Sequence, residues 1–187
     1  MKTSQTQALR KLIILSLLVA MTFVLDRFLS FMTPVMKVGF MFIPPMIAGI
    51  LYGPIEGMIV YAVGDLLGAL LIPKGAPLVG LTVCYALSGI IYGLFLNEKP
   101  LKLFGINFTW KKVGLIPNVL IASALVCFVV DLFLKTAVLN TLSTDKTYWG
   151  VFSSRLLPAA IMFALHVALA PIMLELCKSL KKSFINK

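Results

Sequence analysis

Six apolar stretches recur along this chain, over residues 12–25, 38–55, 57–72, 78–97, 113–130 and 156–174. A helix crossing ~30 Å of hydrocarbon needs roughly 20 residues, and a soluble core of this size has no use for so many apolar runs. With 187 residues and 60% hydrophobic composition, six helices and short connections use nearly the whole chain. The sequence therefore predicts an all-α membrane protein: six transmembrane helices forming a single domain over residues 1–187.

The basic residues sort onto alternate ends of these runs. One set of ends holds Lys2, Arg10, Lys11, Lys99, Lys102, Lys111, Lys112, Lys178, Lys181, Lys182 and Lys187, whereas the other holds Lys37, Lys74, Lys135 and Lys146. By the positive-inside rule the richer side is cytoplasmic, which places both termini inside, as an even number of spans requires. The net charge of +10 is thus read as a topology signal directed at anionic lipid headgroups, and nucleic acid is not expected as a partner.

Several classes of chemistry find no support in the residues. There is no Gly-rich, Lys-containing nucleotide loop, so ATP hydrolysis by that route is not expected of this chain. The first apolar run leads into Asp26 and Arg27 instead of a small-residue cleavage site, so helix one is expected to be retained. Cys84, Cys127 and Cys177 lack paired spacing and read as small apolar fillers. With His166 the single histidine, neither a metal centre nor a cofactor is expected, and no catalytic constellation marks an enzyme.

Proline and glycine punctuate the helices. Helix one is expected over residues 9–31, before Thr33-Pro34; helix two begins near Val38, and Pro44-Pro45 inside it should bend or unwind it. Pro54 suits a first-turn position of helix three, which stops at the outer loop 73–77; helix four runs on to Asn97. The basic segment 98–112 follows on the inner surface, with Trp110 as an interfacial anchor. Helix five should end near Thr136, and residues 139–149 form an outer loop before helix six. Gly49 and Gly53, Gly64 and Gly68, and Gly89 and Gly93 are each four apart, a spacing for close helix packing. On helix one the comparable small pair is Ser16 and Ala20, on the cytoplasmic half, which is free to face a partner helix.

Charged groups inside a membrane segment cost roughly 2.5 to 3.5 kcal/mol each on insertion scales, so each is a functional candidate until a structural partner explains it. Asp26, Arg27, Asp131, Lys135 and Arg155 count to the outer third, and Asp65 lies roughly two turns below Pro73. This concentration suggests a ligand site open to the outside. Tyr61 and Asp65 share a face of helix three with Gly68 nearby, a lining for a flat, hydrogen-bonding ring. Arg27 is flanked at i−4 and i+4 by Phe23 and Phe31 and can hold an anionic or planar ligand. Arg155 and His166 share a face of helix six, with His166 deeper. Lys74, Tyr85 and Asp131 complete the set of candidate ligand contacts. The alternative role of these charges is internal neutralisation, and Asp131 with Lys135 at i,i+4 are expected to pair with each other.

The run Val63-Gly64-Asp65-Leu66-Leu67-Gly68-Ala69-Leu70-Leu71-Ile72-Pro73, the stretch Leu87-Ser88-Gly89-Ile90-Ile91-Tyr92-Gly93, Asp26-Arg27-Phe28-Leu29-Ser30 and Ile50-Leu51-Tyr52-Gly53-Pro54 resemble the folate family of substrate-binding (S) components of energy-coupling-factor (ECF) vitamin transporters. The likeness is densest over residues 9–96; beyond them Arg155-Leu156-Leu157 and Ala170-Pro171-Ile172 carry it. Where folate-binding members have Ala-Tyr-Phe-Pro-Gly-Phe-Thr, this chain has Ala76-Pro77-Leu78-Val79-Gly80-Leu81-Thr82, and where the coupling face of helix one shows Ala-xxx-Ala, Ser16 takes the first place. The resemblance implies a six-helix S-component fold in a bacterial cell membrane. It also implies capture of a water-soluble vitamin, folate first and pantothenate or pyridoxine next, and docking on a transmembrane coupling protein with two ATPases. The competing readings are a stand-alone proton-coupled permease relaying through Asp65 and His166, and a membrane prenyl or acyl transferase. No visible inverted repeat supports the former, and no acidic or His-Asp cluster at one interface supports the latter.

Overall fold

The computed structural model describes residues 2–32, 37–73, 79–97, 101–103, 106–108, 115–140 and 148–180. Helix α1 (Lys2–Phe28) leads into a hairpin of β1 (Ser30–Met32) and β2 (Lys37–Gly39), paired antiparallel with Phe31 opposite Val38. Helix α2 (Ile43–Leu51), α3 (Pro54–Leu71) and α4 (Val79–Leu96) follow. A second hairpin, β3 (Leu101–Leu103) with β4 (Ile106–Phe108), precedes α5 (Leu115–Ala124). Without a break, α5 continues as a π-helical stretch (Leu125–Leu134) and then α6 (Lys135–Asn140), making one rod; α7 (Tyr148–Leu180) is the last.

Five of these six rods are long and apolar enough to cross a membrane. The exception is α2, whose nine residues at ~1.5 Å each cover less than half of a ~30 Å hydrocarbon layer. Six helical rods are thus present among the described residues, as the sequence predicts, five of them with the length of a full span, and two short hairpins interrupt the all-helical pattern. Pro44 and Pro45 do not bend a helix that starts near Val38: they occupy the opening positions of α2, where a missing N–H costs nothing, and Lys37–Gly39 before them pairs as strand. Non-helical backbone at membrane depth must be enclosed by protein. Met41 and Phe42, in the turn between β2 and α2, are buried, and the Ile43 N–H donates to the Phe40 carbonyl at 3.1 Å. The hairpin also ends α1 at Phe28, three residues short of the expected Phe31.

Glycines set the tightest packing. A Cβ on Gly93 would stand 2.2 Å from the Pro54 Cα, and one on Gly89 2.4 Å from the Gly57 carbonyl oxygen, so α4 lies directly against the α2–α3 elbow. That elbow turns at Gly53, whose φ of 131° suits glycine. The Asn97 side chain donates to the Gly49 carbonyl at 3.2 Å and ties the end of α4 to α2. On the other side of α3, Gly64 receives Thr22 and Gly68 receives the Arg27 guanidinium, so α1 and α3 run parallel in close contact. The spaced glycines are therefore packing residues.

Pairings between rods also fix their directions. Lys11 meets Glu56 at 2.5 Å near the start of α3, Tyr85 of α4 meets Lys135, and Cys127 meets His166. Neighbouring rods from α3 onwards are thus antiparallel, and Lys2 and Leu180 lie at the same end of the bundle. Leu9, Leu12, Leu17 and Phe28 on α1 and Leu70 and Leu71 on α3 are exposed apolar side chains suited to lipid contact.

Candidate functional site

Polar side chains gather at the end of the bundle away from Lys2 and Leu180. Antiparallel packing of α3 on α4 builds two rungs one helical turn apart. In the first, the Thr82 hydroxyl donates to Asp65 Oδ2 at 2.7 Å; in the second, the rings of Tyr61 and Tyr85 lie 4.9 Å apart with planes at 37°. Asp65 is only 9% exposed, so its carboxylate depends on hydrogen bonding of this kind.

Lys135 extends the second rung onto the third rod. Its ammonium stands 3.8 Å from the centroid of Tyr85, an arrangement worth about 2 kcal/mol when desolvated, and 2.5 Å from Asp131 Oδ1. Arg155 on α7 then donates to the backbone carbonyl of Asp131 at 3.4 Å. A continuous arc therefore runs from the Thr82–Asp65 pair through Tyr61, Tyr85, Lys135 and Asp131 to Arg155. Its two termini have opposite character: a carboxylate on α3, and two cations held by one aspartate, Lys135 by its carboxylate and Arg155 by its backbone carbonyl, where the π-helical stretch meets α6 and α7. Asp131 lies within that π-helical stretch, a local widening frequently found at functional sites.

Arg27 joins from the α1 side. Its Nε is 3.2 Å from Asp26 Oδ2, and its guanidinium lies over Gly68, one turn from Asp65. Asp26 also accepts, through its backbone carbonyl, the Ser30 hydroxyl at the start of the hairpin. His166 stands apart from the arc: about three turns below Arg155 at ~1.5 Å per residue, it is 1% exposed. Its Nδ1 lies 2.9 Å from Cys127 Sγ, and its ring packs edge-on against Phe42 at 3.8 Å.

The family model for the substrate-specific component of ECF transporters matches residues 10–175. The chain belongs to this family. It is 35% identical over 155 residues to the folate transporter FolT of Clostridium novyi (strain NT), covering 83% of this chain and 82% of that one. It is 28% identical over 172 residues to the folate transporter FolT of Leuconostoc mesenteroides subsp. mesenteroides, covering 89% and 85%. Among solved structures, the crystal structure of FolT bound with folic acid superposes with a TM-score of 0.71 at 27% identity, over 85% of this chain and 89% of that one. The chain is thus a membrane-embedded transport component of a non-enzymatic family, as the resemblance read from α1, α3 and α4 implied.

Against the sequence-based candidates, the structure brings Tyr61, Asp65, Tyr85, Asp131 and Arg155 of this S component into one arc, with Arg27 at its flank. It keeps His166 in a separate inner knot. Lys74 and Trp110 lie outside the described residues. Ser16 and Ala20 are exposed on α1, opposite the buried Leu18 and Thr22. Thr82 and Lys135 are additions to the site. Thr82 gave no signal because a hydroxyl inside a helix is cheap and common, and Lys135 was accounted for by Asp131 alone, since no spacing rule reaches from α6 to the Tyr85 ring.

Proposed function

We propose that this S component captures a water-soluble vitamin on the outer side of a bacterial cell membrane and hands it on for ATP-driven import. Folate is the first candidate, with pantothenate and pyridoxine next. The carrying observation is the bipolar arc. The carboxylate of Asp65, steadied by Thr82, suits the donor edge of an aminopyrimidine ring; Tyr61 and Tyr85 suit its faces; Arg155 suits an acidic tail, and Arg27 flanks the ring end beside Gly68. Asp131 belongs to the contact set through its hold on the neighbouring cations; Lys74 is included on the sequence alone, and His166, held against Cys127 and Phe42, stands outside the arc. Two relatives that are folate transporters, and a solved relative holding folic acid, support folate over the other two vitamins.

In this reading residues 1–187 act as one substrate-binding domain with both termini cytoplasmic. The sorting of Lys and Arg and the placement of Lys2 and Leu180 at one end of the bundle support it. Import requires a transmembrane coupling protein and two ATPase subunits, docked on the exposed Ser16 and Ala20 face. Equilibrium binding to the purified chain in detergent, without nucleotide, tests the capture step. Saturable binding of folic acid is expected; no affinity for folate, pantothenate or pyridoxine defeats the proposal. Uptake by the chain alone in liposomes would favour a self-sufficient permease, whereas uptake only with the coupling protein and ATPases supports the subunit reading.

A further inference from the structure

The cationic end of the arc contains more charge than its single carboxylate accounts for. Lys135 is 7% exposed, and its ammonium is clamped between the Tyr85 ring at 3.8 Å and Asp131 Oδ1 at 2.5 Å. Arg155, on the facing helix, bonds the backbone carbonyl of the same Asp131 and forms no ion pair among the described residues. Asp131 therefore holds two cations from different rods, Lys135 through its carboxylate and Arg155 through its backbone carbonyl, and among the described residues the carboxylate is ion-paired only with Lys135. A guanidinium in a membrane segment is costly without a counter-charge, and an arriving anion would supply one. We infer that Lys135 is a substrate-contacting, specificity-determining residue: with Arg155 it forms a seat for a carboxylate of the ligand, and Asp131 positions both cations for it.

This inference rests on the vitamin-capture reading and adds the orientation of the ligand. The ring lies toward Asp65 and Thr82, and the acidic tail lies toward Lys135 and Arg155, with Tyr61 and Tyr85 between. Two further points favour Lys135 over a purely internal ion pair. Its ammonium is held against an aromatic ring that belongs to the ring-binding rung, so it borders the proposed ligand directly. It also sits where the π-helical stretch passes into α6, which sets its carboxylate partner and Arg155 at adjoining positions between rods.

The test compares folic acid with its bis-amide, in which both tail carboxylates are neutral amides, by equilibrium binding to the full-length protein in detergent. Wild type should bind the bis-amide at least about tenfold more weakly than folic acid, the loss of a charge-assisted contact. Because Lys135→Gln alone strands Asp131, the informative variant is the double substitution Lys135→Gln with Asp131→Asn, which removes the pair together. It should bind folic acid about tenfold more weakly than wild type and the bis-amide about as wild type does, while Lys135→Arg keeps the preference for the acid. If the double variant binds folic acid like wild type, Lys135 only neutralises Asp131 and the inference is wrong. If wild type binds both compounds alike, the carboxylate seat falls and the capture reading stands. If wild type binds neither, the folate reading itself falls.

Discussion

Arg155 donates to a backbone carbonyl, whereas Arg27 lies 3.2 Å from the fully buried Asp26 carboxylate, and that difference sets what each alanine substitution should cost. Arg155→Ala removes a cation that neutralises no carboxylate among the described residues. It should weaken folate binding by about 1.5 to 3 kcal/mol, the range for hydrogen bonds to charged groups, with melting temperature little changed. Arg27→Ala deprives a buried carboxylate of its guanidinium, a change of the kind that costs about 3 to 5 kcal/mol, so stability should fall together with affinity. Thermal melting and ligand titration on both variants check the pair; a stability loss with unchanged affinity in Arg155→Ala would make Arg155 structural. Asp65→Asn separates roles at the other end of the arc. An amide oxygen still accepts from Thr82, but the side chain loses one of two acceptor oxygens for an aminopyrimidine edge. Affinity for folate should therefore drop more than stability does. The intramembrane cost of charge made Asp65, Asp131 and Arg155 visible from sequence, because it singles out such residues wherever they fall. Tyr85 and Thr82 carry no such mark, since their importance comes from partners on another rod.

At the scale of elements, the rods legible from sequence are those whose ends carry proline or glycine: Pro54 opens α3, Pro73 follows its end, and the spaced glycines mark the α3–α4 seam. The same residue types misled at Pro44-Pro45. Proline inside an apolar run has two readings, a kink or a helix start, and the choice was made by strand pairing of Lys37–Gly39 with Ser30–Met32, which no local rule encodes. The π-helical stretch was likewise invisible, because Leu125–Leu134 is a plain apolar run and the widened turn depends on the fit of its neighbours. The seam itself is open to test. A methyl group on Gly93 would meet the Pro54 Cα, which is backbone and has no rotamer to yield, so α4 must shift. Gly93→Ala should destabilise the protein by about 1 to 3 kcal/mol, as overpacking does, and thermal melting in detergent measures it. Gly68→Ala meets the Arg27 guanidinium instead, at the end of a flexible side chain. It should therefore cost less stability than Gly93→Ala and show its effect in ligand affinity.

For the whole molecule, the separation of the polar arc from the exposed face of α1 yields the most separable expectation. The polar arc lies at the end away from Lys2 and Leu180, while Ser16 and Ala20 stand on the exposed face of α1, with Leu18 and Thr22 directed into the bundle. Two small residues four apart permit close backbone approach by a partner helix, and the flanking Leu12, Ile13 and Leu17 offer that helix an apolar surface. Between Ala20 and Arg27 the helix rises about 10 Å at 1.5 Å per residue, so bulk added at Ala20 need not disturb the ligand end. Ala20→Trp should accordingly abolish ATP-driven uptake in proteoliposomes containing the coupling protein and ATPases, while folate affinity of the isolated chain remains within about twofold of wild type. Co-purification of the coupling protein should be lost in the same variant. If binding and uptake fail together, the substitution has disturbed the packing of α1 on α3, and the coupling face must be sought elsewhere on the bundle.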